Sequence, residues 1–136
     1  MLLAMQFCMN VSSEAKRDCC AYCPIIAARW GRFQESVSEC PWLNGAYAVA
    51  FVEGMQGDDA EYTQIAACCK HLIGYSFEGT SHSNVTRHNF DAVIDDHDLS
   101  ETYAPAFRRC VQEARPLQIM CSCESRDYIG AAYRRC

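Results

Sequence analysis

The sequence predicts an α/β domain built around a parallel sheet, and three observations support this. Short apolar runs alternate with longer helical segments, in the order strand, helix, strand, helix, strand. The strand-length runs do not alternate between apolar and polar residues, as expected of strands buried on both faces of a parallel sheet. No repeat, low-complexity tract or linker divides the 136 residues, which is enough chain for one modest domain.

Three apolar runs have the length of strands. We expect them to form three adjacent parallel strands at residues 23–28, 64–70 and 117–122, joined by right-handed crossovers. The residues before the first run are irregular in pattern, apart from a short helix that would begin near Ser12. The predicted organisation is therefore an irregular N-terminal segment, 1–22, followed by the domain itself, 23–136.

Two helices are predicted as the crossovers between these strands. The first lies around residues 45–56, which are almost all apolar, and ends at Gly57. The second lies around residues 98–114, with Asp95 as its N-cap and Pro105 as the cause of a kink. Its apolar side chains recur at helical spacing and should share one face; they are Leu99, Tyr103, Phe107, Cys110, Val111 and Ala114.

The charge balance and hydropathy exclude two classes of partner. Twelve basic and seventeen acidic residues give a net charge of -5, whereas nucleic-acid binders normally carry a basic excess that neutralises phosphates. No run of about 18 apolar residues occurs, so we expect no membrane-spanning helix. Residues 1–9 are apolar but lack a positive n-region and an Ala-x-Ala-like cleavage site. They make a poor signal peptide, and the compartment stays open.

Eleven cysteines in 136 residues approach the density of a disulfide scaffold. The number is odd, so at least one thiol has no partner within the chain. The two cysteines of each doublet, Cys19–Cys20 and Cys68–Cys69, cannot both reach the same bridge partner from a strand, because neighbouring side chains point to opposite faces. We therefore expect most of these thiols to be free and to pack as small apolar residues. A zinc half-site or redox pair at Cys20-x-x-Cys23 is the alternative, although no second CxxC exists.

Histidines and aspartates are frequent between residues 82 and 98, which gives that stretch a superficial likeness to a metal site. A solvated loop and a capped helix start explain these residues better. We expect no metal ligand and no cofactor.

Polar residues follow each predicted strand, where functional residues gather in parallel α/β folds. The first strand runs into Arg29–Arg32 and Glu35, the second ends in Lys70 and His71, and the third runs into Ser122–Glu124. Position alone also suits solvated loop charges, so the residue types must decide between the two interpretations.

Several segments resemble glycoside hydrolase family three, in the branch that contains β-xylosidases and β-glucosidases. The first is Arg29-Trp30-Gly31-Arg32-x-x-Glu35, followed by Glu39-Cys40-Pro41. The resemblance covers Ser12 to about Cys123. The remaining segments occur in the family's order; they are the stretch 46–57, the lysine–histidine strand 66–71, the RxxFxA-like element 87–92, the segment 98–113, and Met120-Cys121-Ser122.

The resemblance implies part of an N-terminal (β/α)8 barrel, with about three βα units of the eight. It also implies that Arg32, Lys70, His71 and Arg87 bind a β-linked sugar, a xyloside or a glucoside. Their chemistry suits this role, because cationic donors form strong hydrogen bonds to a ring of hydroxyls. Lys70 and His71 are neighbours that regular strand geometry would point apart. We therefore expect a bulge or a non-proline cis bond there.

The sequence also departs from the family's pattern. Ala27 and Ala28 stand where the family usually has Asp-Pro, and Cys123 stands where an aromatic residue normally lines the site. Retaining glycosidases need a nucleophilic carboxylate and an acid/base carboxyl about 5 Å apart. The resemblance places both of them in sequence beyond Cys136, so we expect no catalytic residue in this chain.

Three carboxylates lie near the supposed cleft in the sequence: Glu35, Asp91 and Glu124. We expect Glu35 to brace the arginine loop, and we expect none of the three to serve as a nucleophile.

Three hypotheses for the function follow. The first is a truncated family-three glycosidase domain that keeps sugar-binding residues and is inactive by itself. The second is a non-catalytic carbohydrate-binding or interaction module that self-associates through open sheet edges. The third is a cysteine-based metal or redox protein. The identity of the sugar is left open by the sequence.

Overall fold

The computed structural model describes residues 20–22, 29–59, 61–80, 82 and 84–122. Within these ranges the chain forms strands and helices in alternation. The elements are β1 (Cys20–Tyr22), a 3-10 turn (Phe33–Glu35), α1 (Pro41–Gln56), β2 (Cys68–Leu72), a long helical segment over residues 96–114 that we call α2, and β3 (Gln118–Cys121). No helix among the described residues is long and apolar enough to span a membrane.

The three strands form one parallel sheet in the order β1-β2-β3. The predicted parallel pairing of the second and third strands is therefore confirmed, with different strand limits, whereas β1 lies within the segment that was predicted to be irregular. The second strand begins at Cys68 rather than at residue 64, although the sheet pairing extends one residue earlier through the bond from Gln118 N–H to the Ala67 carbonyl. The predicted first strand at 23–28 and the short helix near Ser12 lie outside the described residues.

Helix α1 begins earlier than predicted, at Pro41, whose fixed φ and missing N–H suit the first turn of a helix. It ends at Gly57, where φ is 78° and the backbone N–H bonds to the Glu53 carbonyl. Gly45 lies where α1 meets α2, and a Cβ there would come within 2.8 Å of Arg109 Cδ. The absence of a side chain at Gly45 is therefore what lets the two helices approach closely.

Segment α2 is capped by Asp95, whose side chain accepts the Asp98 N–H at 2.8 Å, so the predicted N-cap is confirmed. Its pitch changes along its length. The turn before Pro105 is π-helical, with Ala104 N–H bonded to the Leu99 carbonyl. Proline cannot donate a helical backbone bond, and the wider turn lies directly before it. Segment α2 has four parts in all: α-helical Asp96–Asp98, π-helical Leu99–Tyr103, α-helical Ala104–Arg109 and π-helical Cys110–Ala114.

The core lies between the two helices and the sheet. Residue Val52 of α1 is fully buried there; its partners are Ala48, Phe51, Met55, Ala67, Cys69, Cys110 and Ala114. The predicted apolar face of α2 is correct for Phe107, Cys110 and Ala114 and wrong for Val111, which is 49 % exposed. Since successive helical residues are about 100° apart, Val111 points away from the face that contains Cys110.

A disulfide joins Cys69 of β2 to Cys110 of α2 across this core. The expectation of mainly free thiols is wrong for this pair and holds for Cys40 and Cys121. The doublet explains the difference, because Cys69 faces the helices while its neighbour Cys68 faces the other side of the sheet. The proposed zinc or redox pair at Cys20 and Cys23 lies partly outside the described residues.

The expectation of strands buried on both faces is correct for β2 and wrong for β3. Both Cys68 and Cys69 are buried, whereas Gln118, Met120 and Cys121 are exposed. Strand β3 is the last strand of the described sheet, so one of its edges has no strand beside it within the described part of the chain.

Candidate sugar-binding site

The candidate site lies at the carboxyl end of β2, where the backbone departs from regular strand geometry. The pairing of β2 with β3 shifts register between Lys70 and Leu72, and the peptide bond between Lys70 and His71 is cis. The backbone distortion expected at this dipeptide is therefore present. Lys70 reaches the arginine loop, while the ring of His71 packs edge-on against Tyr75 with the ring centroids 4.7 Å apart.

The arginine loop brings a carboxylate to this lysine. A backbone bond from Phe33 N–H to the Trp30 carbonyl begins a tight turn, which places Glu35 beside Arg32. The Arg32 guanidinium donates to both Glu35 oxygens, at 2.8 and 3.0 Å, and Lys70 Nζ donates to Glu35 Oε2 at 2.7 Å. The expectation that Glu35 braces this loop is confirmed by these contacts.

A second carboxylate, Glu78, completes the cluster from the loop after β2. Its Oε1 accepts the Trp30 indole N–H at 3.0 Å and the Tyr75 hydroxyl. Arg87 donates to Glu78 Oε2 at 3.3 Å and to the Tyr75 hydroxyl at 3.5 Å. Arg32 Nη1 donates to the same Tyr75 hydroxyl at 3.2 Å.

The loop that carries Arg87 is closed by backbone contacts. Arg87 N–H bonds to the Glu78 carbonyl at 3.2 Å, and Gly79 forms an isolated antiparallel bridge with Thr86. Gly79 has φ of 121°, and a Cβ there would lie 3.0 Å from the Val85 carbonyl oxygen. Glycine is therefore required for the close approach that brings Arg87 back beside Glu78.

The structure thus brings all four predicted residues into one cluster: Arg32, Lys70, His71 and Arg87. The sequence reasoning missed Tyr75 and Glu78 and gave Trp30 no role beyond its motif. Tyr75 and Glu78 belong to an irregular loop, where no periodicity marks a residue that faces the site. The only usable signal was their position just after the lysine–histidine pair.

Burial and charge set the protonation states of the site. Burial would by itself raise the pKa of Glu35, but the hydrogen bonds from Arg32 and Lys70 outweigh it and hold that pKa below its ordinary value. Burial, with the nearby charges of Lys70 and Arg32, lowers the pKa of His71 to about 4. Burial, followed by the bond to Glu78, raises the pKa of Tyr75. Near neutral pH the site therefore combines a neutral imidazole and a protonated phenol with charged donors.

Acid should destabilise the fold through His71. Its pKa of about 4 in the folded chain lies below the value of about 6.5 in an unfolded one, so its stabilising effect is complete above pH 6.5 and falls as the pH drops towards 4. Glu35 should add a further loss of stability at pH values below the pKa that its carboxyl has in the unfolded chain, because its pKa in the folded chain is lower. Urea unfolding of the His71→Gln variant should show a smaller decline in stability between pH 6.5 and pH 4 than the unmodified chain.

The exposed His97 provides the control for this measurement. His97→Gln should leave the pH dependence unchanged, and an equal effect from both substitutions would contradict the assignment to His71.

Asp95, His97 and Asp98 have potential ligand atoms within 4.8 Å of one another, all on exposed side chains. The Asp95 carboxylate accepts the Asp98 N–H and therefore caps α2.

The arrangement suits recognition of a polyhydroxyl ligand. Arginine, lysine and histidine offer several N–H donors from one end of the sheet, and a sugar offers hydroxyl oxygens that accept them. The two carboxylates of the cluster, Glu35 and Glu78, are engaged by cationic side chains. Asp91, which was not expected to serve as a nucleophile, is exposed, and Glu124 lies outside the described residues.

Comparison with known proteins points to one family. The family model described as "Glycosyl hydrolase family 3 N terminal domain" matches residues 22–129. A probable beta-D-xylosidase 7 of Arabidopsis thaliana is 42% identical over 101 residues, which cover 69% of this chain and 13% of that protein.

Two solved structures are similar to this chain in both fold and sequence. A GH3 exo-beta-xylosidase in complex with a xylobiose aziridine probe has a TM-score of 0.65 and 35% identity, over 71% of this chain and 12% of its own. A beta-glucosidase from Kluyveromyces marxianus in complex with glucose has a TM-score of 0.60 and 32% identity, over 71% of this chain and 10% of its own. The chain thus spans a small part of the length of these relatives. The extent of the family match, the sequence identity and the shared fold show that this chain belongs to glycosyl hydrolase family 3, as part of its N-terminal domain.

Proposed function

We propose that the chain supplies the sugar-binding part of a family-three glycosidase site, within about three βα units of a (β/α)8 barrel. The domain would begin near residue 23. Arg32, Lys70, His71 and Arg87 would bind the hydroxyls of a β-linked xyloside or glucoside. The convergence of these four side chains at one end of the parallel sheet carries the proposal.

The burial and charge of the site support this role. The side chain of Lys70 is 12% exposed and that of Arg32 is 25% exposed, so hydrogen bonds made there compete less with water than bonds on an open surface. The neutral imidazole of His71 can both donate and accept, as a hydroxyl does. The aromatic rings of Trp30 and Tyr75 form an apolar wall, edge to face at 4.9 Å.

Sugar binding is tested by titrating the purified chain with D-xylose and D-glucose, followed by ¹H–¹⁵N NMR. We expect saturable shifts of resonances near Lys70 and His71. The dissociation constant should be at least about tenfold higher in Lys70→Ala, because a hydrogen bond to a charged donor contributes about 1.5–3 kcal/mol. An acyclic hexitol is the control ligand, since it offers hydroxyls without a pyranose ring. Equal responses to the hexitol and the two sugars would contradict the proposal.

We further propose that the chain by itself does not hydrolyse glycosides. Retaining hydrolysis needs one carboxylate as nucleophile and one carboxyl as acid, whereas Glu35 and Glu78 are both paired with cations. With an aryl β-xyloside and an aryl β-glucoside, the chain should release no more phenol than a Lys70→Ala/His71→Ala control. Turnover well above that control would show that a carboxylate of this chain acts as nucleophile.

The exposed strand β3 favours the interaction hypothesis as a second function. Its Met120 is 40% exposed and the adjacent Leu117 is 59% exposed, and an unpaired strand edge offers backbone groups to another strand. We propose that this edge mediates self-association. Sedimentation should then show a concentration-dependent dimer that is weakened by Met120→Lys.

A further inference from the structure

Glu78 is the point at which four polar side chains meet. Its carboxylate accepts from the indole of Trp30 and the hydroxyl of Tyr75, and it pairs with Arg87 at 3.3 Å and with Arg32 at 3.8 Å. These partners come from the arginine loop, from the turn after β2 and from the loop that returns through Arg87. One carboxylate therefore joins three separate segments of the chain.

The two arginines around it need a negative charge between them. Arg32 and Arg87 each direct an Nη1 donor at the same Tyr75 hydroxyl, at 3.2 and 3.5 Å. Like charges this close repel each other, and a carboxylate between them reverses the sign of the interaction. Glu35 neutralises the positive charge of Arg32 and Lys70 on one side of the cluster. Among the described residues, Glu78 is the carboxylate that pairs with Arg87.

We propose that Glu78, together with the Tyr75 hydroxyl, is a positioning residue of the sugar site. It fixes the spacing and orientation of the Arg32 and Arg87 guanidinium groups, so that their remaining N–H donors meet hydroxyls of one sugar ring. This inference rests on the proposed function and deepens it, because it assigns the alignment of the donors to a residue that need not touch the sugar.

The number of protein partners supports positioning rather than direct contact with the ligand. Glu78 Oε1 already accepts from both Trp30 and Tyr75, and Oε2 accepts from Arg87. The backbone reinforces the arrangement, because Arg87 N–H bonds to the Glu78 carbonyl. A preorganised donor pair binds more tightly than a mobile one, since less side-chain entropy is lost when the ligand arrives.

The first experiment needs no ligand. In ¹H–¹⁵N spectra of the full chain at low temperature, the Nη–H resonances of Arg32 and Arg87, whose Nη1 groups contact Tyr75 and Glu78, and the Trp30 indole N–H should be dispersed and protected. Glu78→Gln, which keeps the shape and removes the charge, should shift the indole resonance and broaden or remove the Arg87 signal. The Arg109 signal should stay unchanged as an internal reference, because Arg109 pairs with Glu113 elsewhere. Unchanged arginine and indole resonances in Glu78→Gln would overturn the proposal.

The second experiment measures affinity for D-xylose in the same variants. We expect binding about tenfold weaker or more in Glu78→Gln, a smaller loss in Tyr75→Phe, and wild-type affinity in the matched control Glu113→Gln. A purely structural role would lower the thermal midpoint and leave the dissociation constant of the folded fraction unchanged. Wild-type affinity in folded Glu78→Gln would therefore also overturn the proposal.

The two experiments separate this inference from the function on which it rests. If the unmodified chain gives no saturable response to D-xylose, the proposed function fails, while the arginine resonances still decide whether Glu78 positions these side chains. If the Glu78 substitution prevents folding, Tyr75→Phe provides the same readouts, because it removes only the hydroxyl that both arginines contact. Unchanged arginine signals in a folded Tyr75→Phe variant would count against the proposal.

Discussion

Removing the disulfide between Cys69 and Cys110 is expected to destabilise the chain by about 4 kcal/mol, because the unfolded chain regains the conformational entropy that a closed loop of this size denies it. The two residues are 41 positions apart in the sequence. The bond joins the strand that carries Lys70 to the helix that covers it, and both sulfur atoms lie in the buried core. Thermal unfolding of Cys69→Ala/Cys110→Ala should show a midpoint lower by roughly 10–15 °C.

Reduction of the unmodified chain provides an independent form of this test. A thiol-free reductant should lower the midpoint of the unmodified chain by more than that of the double variant. The matched control is Cys40→Ser/Cys121→Ser, since both of these thiols are free and exposed, and it should melt at the unmodified temperature. A reductant that does not change the midpoint would show that the bond contributes nothing to stability.

Replacing Glu35 by glutamine is expected to reduce both stability and sugar affinity. Glu35 makes a two-pronged bond to Arg32 and accepts from Lys70, so its neutralisation leaves two half-buried cations side by side. The loss of charged hydrogen bonds of this kind costs about 1–3 kcal/mol. The affinity for D-xylose should fall at least about tenfold, because Lys70 loses the partner that aims it.

The matched control for this variant is Glu113→Gln. Glu113 makes the same two-pronged bond to Arg109, at 2.8 and 2.9 Å, but on the exposed surface of α2. Such surface pairs contribute little to stability because water and salt screen them, and we expect no change in sugar affinity. Similar effects from the two substitutions in urea unfolding and xylose titration would contradict the special role of Glu35.

The parallel order of the fold was predictable from the sequence, because apolar runs and an amphipathic helix alternate along it. The strand limits were not. The run at 64–69 contains Ile65, which packs against the core from outside the strand, and an apolar residue serves equally well in either setting. The exposure of β3 was also unpredictable, because its sequence is as apolar as that of a central strand and only the neighbouring elements determine its burial.

The candidate site was predictable where a residue type and a family motif coincided. This was true of Arg32, Lys70, His71 and Arg87. It was not true of Glu78, whose only signal was its position after the lysine–histidine pair and which gains its role from a loop that returns through Gly79. The disulfide was missed for a similar reason, since pairing Cys69 with Cys110 requires knowing that β2 packs against α2.

The contrast between the two tryptophans gives the molecule a built-in optical probe. Trp30 is 4% exposed and lies against Tyr75 and Arg32, whereas Trp42 is 70% exposed on α1. Their fluorescence should separate into a short-wavelength component from the site and a long-wavelength component that iodide quenches. In a Trp42→Phe background the remaining emission would come from Trp30 alone, so that ligand entry and loosening of the arginine loop could be followed without any label.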